Sequence, residues 1–291
     1  MIIQECLRYY KSKFTLLLTF VLIIIVGASY YSTYVQKIEW VRVLHSGAED
    51  VNLEKVAHMV SGYTGSYYFE SFLFSSDYNV LAVIILIIGF GISIGSNVFK
   101  SLNSNYGTMI VTRMSYKNYL IKILMAQVIY ISTYIMGFFV LVFILTIIFL
   151  KGGLQISSNS FLTGGSVLEF LGICTVSVFH MVLYIIVLML ITTVSPLFLK
   201  NKYIIQLLPF LIVIFTYFIA NVLGNISDEF AFLTSFFVLD NILFNIKRVF
   251  ISSQTPLMLA MTGSVFIGLC VIAFFYMYKA NIKKFGRDYI S

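Results

Sequence analysis

Charge is what this sequence has least of. Asp, Glu, Lys and Arg make up 11% of its 291 residues, against about a quarter in a soluble domain, while 60% of the residues are apolar. So few charges do not cover the surface of a water-soluble globule. Cysteine is scarce as well. Cys174 and Cys270 lie in apolar runs and Cys6 lies near the N-terminus, so neither a disulfide framework nor a thiolate metal centre is supported. No Gly-x-x-x-x-Gly-Lys-Ser/Thr loop occurs, which removes the usual ATP cradle from this chain. The polar stretches between apolar runs are too short to hold a catalytic domain. The net charge of +7 comes from residues at the ends of apolar runs, not from a stripe suited to nucleic acid.

What is abundant is apolar and aromatic: 28 Phe and 20 Tyr, with a mean hydropathy of +0.96. The chain reads as a single all-α polytopic membrane domain over 1–291. Six segments reach the roughly 20 apolar residues needed to cross a bilayer: 14–35, 79–98, 120–150, 168–198, 203–223 and 256–278. The third and fourth are long enough to tilt or to project beyond the bilayer. The first is too long an apolar run for a cleaved leader.

Lys and Arg set the orientation. One side collects Arg8, Lys11, Lys13, Lys100, Arg113, Lys117, Lys122, Lys200, Lys202, Lys279, Lys283, Lys284 and Arg287; the other has only Lys37, Arg42, Lys55, Lys151, Lys247 and Arg248. This asymmetry puts both termini in the cytosol and makes 36–78, 151–167 and 224–255 outer loops.

Residues 1–13 place Ile3, Leu7, Tyr10 and Phe14 at helical spacing, with Glu5, Arg8 and Lys11 elsewhere on the wheel, as expected of an amphipathic helix in the cytosolic interface. In the first outer loop Ile38, Val41, Leu44 and Ala48 keep helical spacing, followed by a break near Glu49-Asp50, with Trp40 in the headgroup belt. Residues 62–68 read as an irregular aromatic stretch, and the loop as a surface-lying lid. Gly91 and Gly95 form a Gly-x-x-x-Gly that favours close helix packing. Ser93 among these glycines and His180 in the fourth span raise an intramembrane protease, which requires the two within hydrogen-bond reach; packing alone explains the glycines. His180 is a candidate intramembrane polar site, with bonding to nearby backbone the plainer reading. Pro196 suits the end of the fourth span, and Pro209 should kink the fifth.

Residues 99–118 form a linker without an acid, containing Asn103, Asn105, Tyr106, Gly107, Thr108, Arg113 and Lys117 before Lys122. It is positively charged, and Gly107 permits a tight turn, so it suits docking of an acidic cytosolic partner. Gly107-Thr108, Arg113 and Lys122 also resemble a motif of the permease subunits of type-2 ABC exporters. Asn103 and Asn105 stand where that family usually has an acidic pair. The resemblance covers the whole chain in layout and about 25 residues in motif. It implies that Asn103, Asn105, Tyr106, Gly107, Thr108, Arg113 and Lys117 dock a cytosolic ABC ATPase dimer, and that a second permease copy completes the unit. It also implies that 224–255, rich in Phe and Leu around Asp240, forms a re-entrant outer hairpin before the last span.

With no Asp, Glu, Lys or Arg inside a span, ion-coupled transport lacks its usual groups. ATP and Mg would be held by the partner, and this chain is expected to carry no catalytic residue, metal or cofactor of its own. The importer-type docking motif is absent, Leu207-Leu208-Pro209 being the nearest match. The reading is therefore export of hydrophobic or amphipathic cargo (peptide, antimicrobial peptide or drug) across a bacterial plasma membrane. The alternative is a non-transport membrane protein: an immunity, sensor or assembly factor.

Overall fold

A computed structural model describes residues 2–46, 52–74, 76–103, 116–150, 153–156, 166–197, 199, 201–224 and 226. Every regular element among these is helical. In chain order they are α1 (Ile2–Tyr10), α2 (Lys13–Ser46), α3 (Leu53–Ser61), α4 (Gly65–Phe74), α5 (Asp77–Asn103), α6 (Tyr116–Phe149), α7 (Val167–Val194), a 3-10 turn (Ser195–Leu197) and α8 (Lys202–Gly224). Five of them, over Lys13–Ser46, Asp77–Lys100, Ile121–Phe149, Val167–Thr193 and Lys202–Ile219, are long and apolar enough to cross a membrane. They coincide with the first five expected spans. The expected sixth span and the re-entrant hairpin lie outside the described residues.

Cross-helix contacts fix the directions. Gly89 of α5 abuts Leu18 of α2, and Ser29 of α2 donates to Ser76 beside the start of α5, so these two helices are antiparallel. Thr15 and Thr19 of α2 meet Tyr130 and Tyr134 of α6, and Tyr30 meets Thr146. That constant offset of 115 to 116 positions makes α2 and α6 parallel. Gln127 against Thr193 and Phe143 against Phe170 set α7 antiparallel to α6. Gly91 and Gly95 lie against Pro209 and Ile205 to set α8 antiparallel to α5. The spans therefore alternate, and one end of the bundle gathers the N-terminal ends of α2, α6 and α8 with the C-terminal ends of α5 and α7. Lys11, Lys13, Lys100, Lys117, Lys122 and Lys202 all fall at that end.

Helix α5 occupies the middle, packed on α2, α7 and α8. Its small residues explain the position. A Cβ on Gly91 would strike the Gln206 carbonyl, and one on Gly95 would come within 3.3 Å of the Gln206 Cα, so α8 sits where α5 has no side chain. The Gln206 amide donates to Ser96 Oγ across the same contact. Pro209 lies inside α8 and faces Gly91, so the ring fills the space the glycine leaves.

Two local expectations are corrected. The chain from 36 to 46 is not loop beyond the first span, because α2 continues without a break to Ser46. Its 34 residues span about 51 Å at about 1.5 Å each, well beyond a hydrocarbon core of about 30 Å; no Gly or Pro interrupts the helical spacing of Ile38, Val41 and Leu44. Residues 65–74 are neither irregular nor a surface lid. They form α4, with Tyr68, Phe69, Phe72, Leu73 and Phe74 buried against α2, α5 and α6. Burial of these aromatics outweighs the short length of the helix. The turn after α6 receives its first residues: Ser66 N–H donates to Gly153 O at 3.1 Å, and Gly153 adopts φ +48°, a conformation suited to glycine. Pro196 ends the fourth span as expected: α7 stops at Val194 and tightens into the 3-10 turn containing Pro196, whose missing N–H does not continue an α-helix.

Candidate functional site

At the basic end of the bundle, α1 is locked into the spans by hydroxyls and aromatic rings. Each threonine involved donates to its own backbone: Thr19 to Thr15 O at 2.9 Å, Thr133 to Ile129 O at 2.6 Å and Thr146 to Val142 O at 2.6 Å. Thr15 donates to Tyr9 O at 2.7 Å, across the bend between α1 and α2. A hydroxyl has one proton to give and lone pairs left to accept. The tyrosine facing each threonine must then be the donor. Tyr130 donates to Thr15 at 2.7 Å, Tyr134 to Thr19 at 2.8 Å, Tyr10 to Thr133 at 2.6 Å and Tyr30 to Thr146 at 2.6 Å. Three of these bonds join α2 to α6, and the fourth joins α1 to α6.

Rings close the joint. Tyr9 stacks on Tyr130 with centroids 5.1 Å apart and planes at 18°, while Tyr10 and Phe90 meet Tyr130 edge-on at 5.0 and 5.4 Å. Tyr130 is completely buried. Beneath it Gln127, also buried, donates to the Tyr9 hydroxyl at 3.4 Å and accepts from Thr193 of α7 at 2.6 Å. The path Thr193–Gln127–Tyr9–Thr15 thus ties α7, α6, α1 and α2 together. The outward side of α1 is apolar and unpacked, with Ile3 74% exposed and Leu7 49% exposed. Glu5 and Arg8 pair at 3.6 Å on the polar side. Helix α1 thus turns its aromatic residues into the bundle and leaves Ile3 and Leu7 facing outward.

At the opposite end a second cluster surrounds α4. Tyr63 packs on Tyr67 at 5.1 Å and on Tyr68 at 6.4 Å, and Tyr68 meets Tyr30 of α2. Burial, and then the nearby Tyr67 and Tyr68, push the Tyr63 hydroxyl up to about 12. Burial also raises Tyr67, with the neighbouring Glu70 carboxylate adding to the effect. Glu70 is 4% exposed and is the one buried charged side chain among the described residues.

Of the residues singled out in the sequence, Gly91 and Gly95 lie in the α5–α8 contact. His180 sits on the outward side of α7 beside exposed Phe179 and Val176, with Nδ1 3.3 Å from Val176 O, one turn back. Ser93 is buried beside the Tyr130 hydroxyl, which is already committed to Thr15. No hydrogen bond joins Ser93 to His180, so the two are not brought together as a protease requires. Asn103 is the last residue of α5 and Lys117 lies in the first turn of α6; Asn105, Tyr106, Gly107, Thr108 and Arg113 lie outside the described residues. No group of three or more His, Cys, Asp or Glu is placed to hold a metal among the described residues.

The tyrosine–threonine ladder is absent from the list of candidate residues drawn from the sequence. Its signal was the shared spacing of Thr15 with Thr19 and of Tyr130 with Tyr134, each pair one turn apart on its helix. Comparison with protein-family models, curated proteins and solved structures finds no match.

Proposed function

We propose that this chain is the membrane-spanning permease subunit of an ATP-driven exporter of the type-2 ABC kind. The observation that carries the reading is the joint of α1 with the bundle. A transporter powered by a separate ATPase needs a rigid element at its cytosolic face that moves the spans when pushed. Here α1 lies at the basic end and is held to α2, α6 and α7 through Tyr9, Tyr10, Thr15, Gln127, Tyr130 and Thr193. Charged side chains fall only near the ends of the five apolar spans, Lys37, Glu39 and Arg42 in the last stretch of α2 included, which supports an external source of energy over ion coupling.

In this reading the basic end faces the cytosol of a bacterial cell and both termini lie there. Residues 256–278 make the sixth span and 224–255 the re-entrant hairpin. Asn103, Asn105, Tyr106, Gly107, Thr108, Arg113 and Lys117 receive the ATPase dimer, which holds ATP and Mg. A second permease copy completes the unit, and the cargo is hydrophobic or amphipathic: a peptide, an antimicrobial peptide or a drug.

The test is the double variant Gly107→Val with Arg113→Glu. Lys100, Lys117 and Lys122 still hold the topology, while loss of an interface contact of about 1–3 kcal/mol lowers ATPase retention and permease-stimulated ATP hydrolysis severalfold. Unchanged retention and turnover in nanodiscs overturn the docking assignment.

A further inference from the structure

Between α6 and α7 a shallow apolar crevice opens on the outside of the bundle. Its floor is Phe139, Cys174 and Val178, all buried, and one end is closed by Phe69 of α4 against Phe143 at 4.9 Å. Its mouth lies between Val140 and Thr175, both exposed.

Three observations say what occupies it. Both walls belong to membrane-spanning segments, Ile121–Phe149 and Val167–Thr193, and exposed Leu141, Ile144, Val176 and Phe179 surround the mouth. The medium there is hydrocarbon, not water. The one hydroxyl in the lining, that of Thr175, already donates to Leu171 O at 2.7 Å. Beyond the Thr175 lone pairs and the Cys174 thiol, nothing in the crevice matches the several polar groups of a headgroup, a sugar or a peptide backbone, which would be left unpaired in an apolar slot. Finally, the lining is long-chain and aromatic, with the pliable Met136 among it, which matches a flexible alkyl chain.

We propose that this crevice holds one acyl chain of a bilayer phospholipid, taken in from the leaflet beside the C-terminal end of α6. The chain packs over Phe139 and Val178 and supplies the contacts that an empty apolar slot forfeits. The proposal rests on α6 and α7 spanning a membrane and is independent of the transport reading.

The full chain, reconstituted in phospholipid vesicles containing a phosphatidylglycerol with a diazirine in its acyl tail, is irradiated and its adducts are mapped by mass spectrometry. Adducts per residue over 136–143 and 171–178 should exceed those on the exposed α8 residues Leu211, Phe215 and Phe218 severalfold. Thr175→Trp, and separately Val140→Trp from the facing wall, should lower them to the α8 level with the thermal midpoint kept. Labelling no higher than on α8 overturns the proposal, as does labelling unchanged in both filled variants. Oxidation of a Thr175→Cys variant distinguishes other occupants. A disulfide between two chains places a second copy over the mouth, one to Cys270 within a chain places residues 256–278 there, and either result overturns the lipid. Displacement of the diazirine lipid by an excess of an amphipathic peptide makes the slot a cargo site and overturns it equally.

Discussion

Removing the Tyr130 hydroxyl and removing the Thr15 hydroxyl should have unequal and non-additive effects, because the two are consecutive links in one chain of donors. Tyr130→Phe loses the 2.7 Å bond to Thr15 but keeps the stack on Tyr9 and the edge contact with Phe90. Thr15 still donates to Tyr9 O, so no buried donor is stranded, and the loss is one hydrogen bond in a membrane bundle, about 0.6 kcal/mol and at most about 1.7 kcal/mol. In a Ser93→Ala background shared by all four proteins, which removes the buried hydroxyl beside Tyr130, Thr15→Val removes two bonds at once and leaves the Tyr130 hydroxyl, in a fully buried side chain, without an acceptor. A stranded buried hydroxyl costs about 1–3 kcal/mol, so this variant should be the worse of the two by about 1 kcal/mol. In the double variant the stranded group is gone, and its loss should fall short of the sum of the singles by about 1 kcal/mol. The assay is equilibrium unfolding of the purified protein in mixed micelles, with the four proteins compared at one denaturant composition. Additivity within about 0.5 kcal/mol, or Thr15→Val no worse than Tyr130→Phe, refutes the assigned polarity of the ladder.

Gly91→Ala should lower folded yield and thermal midpoint, because its Cβ meets the backbone carbonyl of Gln206; Gly137→Ala, where a Cβ meets nothing within 4 Å, should be neutral or stabilise by about 0.5–1 kcal/mol, both read by fluorescence-detected size exclusion. Trp40 is the sole tryptophan, and Tyr63 bonds to it. The Tyr63 hydroxyl is raised from 10.0 to about 12, so its contribution to stability is complete below about pH 10 and is lost as pH rises towards 12. Trp40 emission should therefore stay flat to about pH 10 and change above it, and Tyr63→Phe should abolish the change. Cysteines placed at Ser61 and at Lys11, both exposed and at opposite ends of the bundle, should differ in sealed cells: an impermeant maleimide should label the first and spare the second.

The five long apolar helices were legible because length and hydropathy suffice to mark them, and Gly91 with Gly95 announced a close packing face. The ladder was not. Thr15, Thr19, Tyr130 and Tyr134 look like tolerable polar residues in apolar runs. The one-turn spacing within each pair marks a shared helix side, but that each tyrosine finds its threonine 115 positions away is a tertiary fact that the spacing does not name. Helix α4 was missed for a different reason. Ten residues are too few to span a bilayer, so Gly65–Phe74 read as surface loop, although its aromatic side chains are satisfied only when buried. His180 was legible as an intramembrane histidine, but its outward placement beside Phe179 depends on which side of α7 the neighbouring helices cover.

The export reading is tested most directly by purifying the tagged full chain in mild detergent from the cells that make it, and measuring what comes with it and whether that complex hydrolyses ATP. The account predicts a stoichiometric ATPase subunit carrying the phosphate-binding loop that this chain lacks, with hydrolysis lost when α1 is loosened by Tyr9→Ala and Tyr130→Ala together. Recovery of the chain folded but without an ATPase, or with hydrolysis indifferent to those two substitutions, contradicts it.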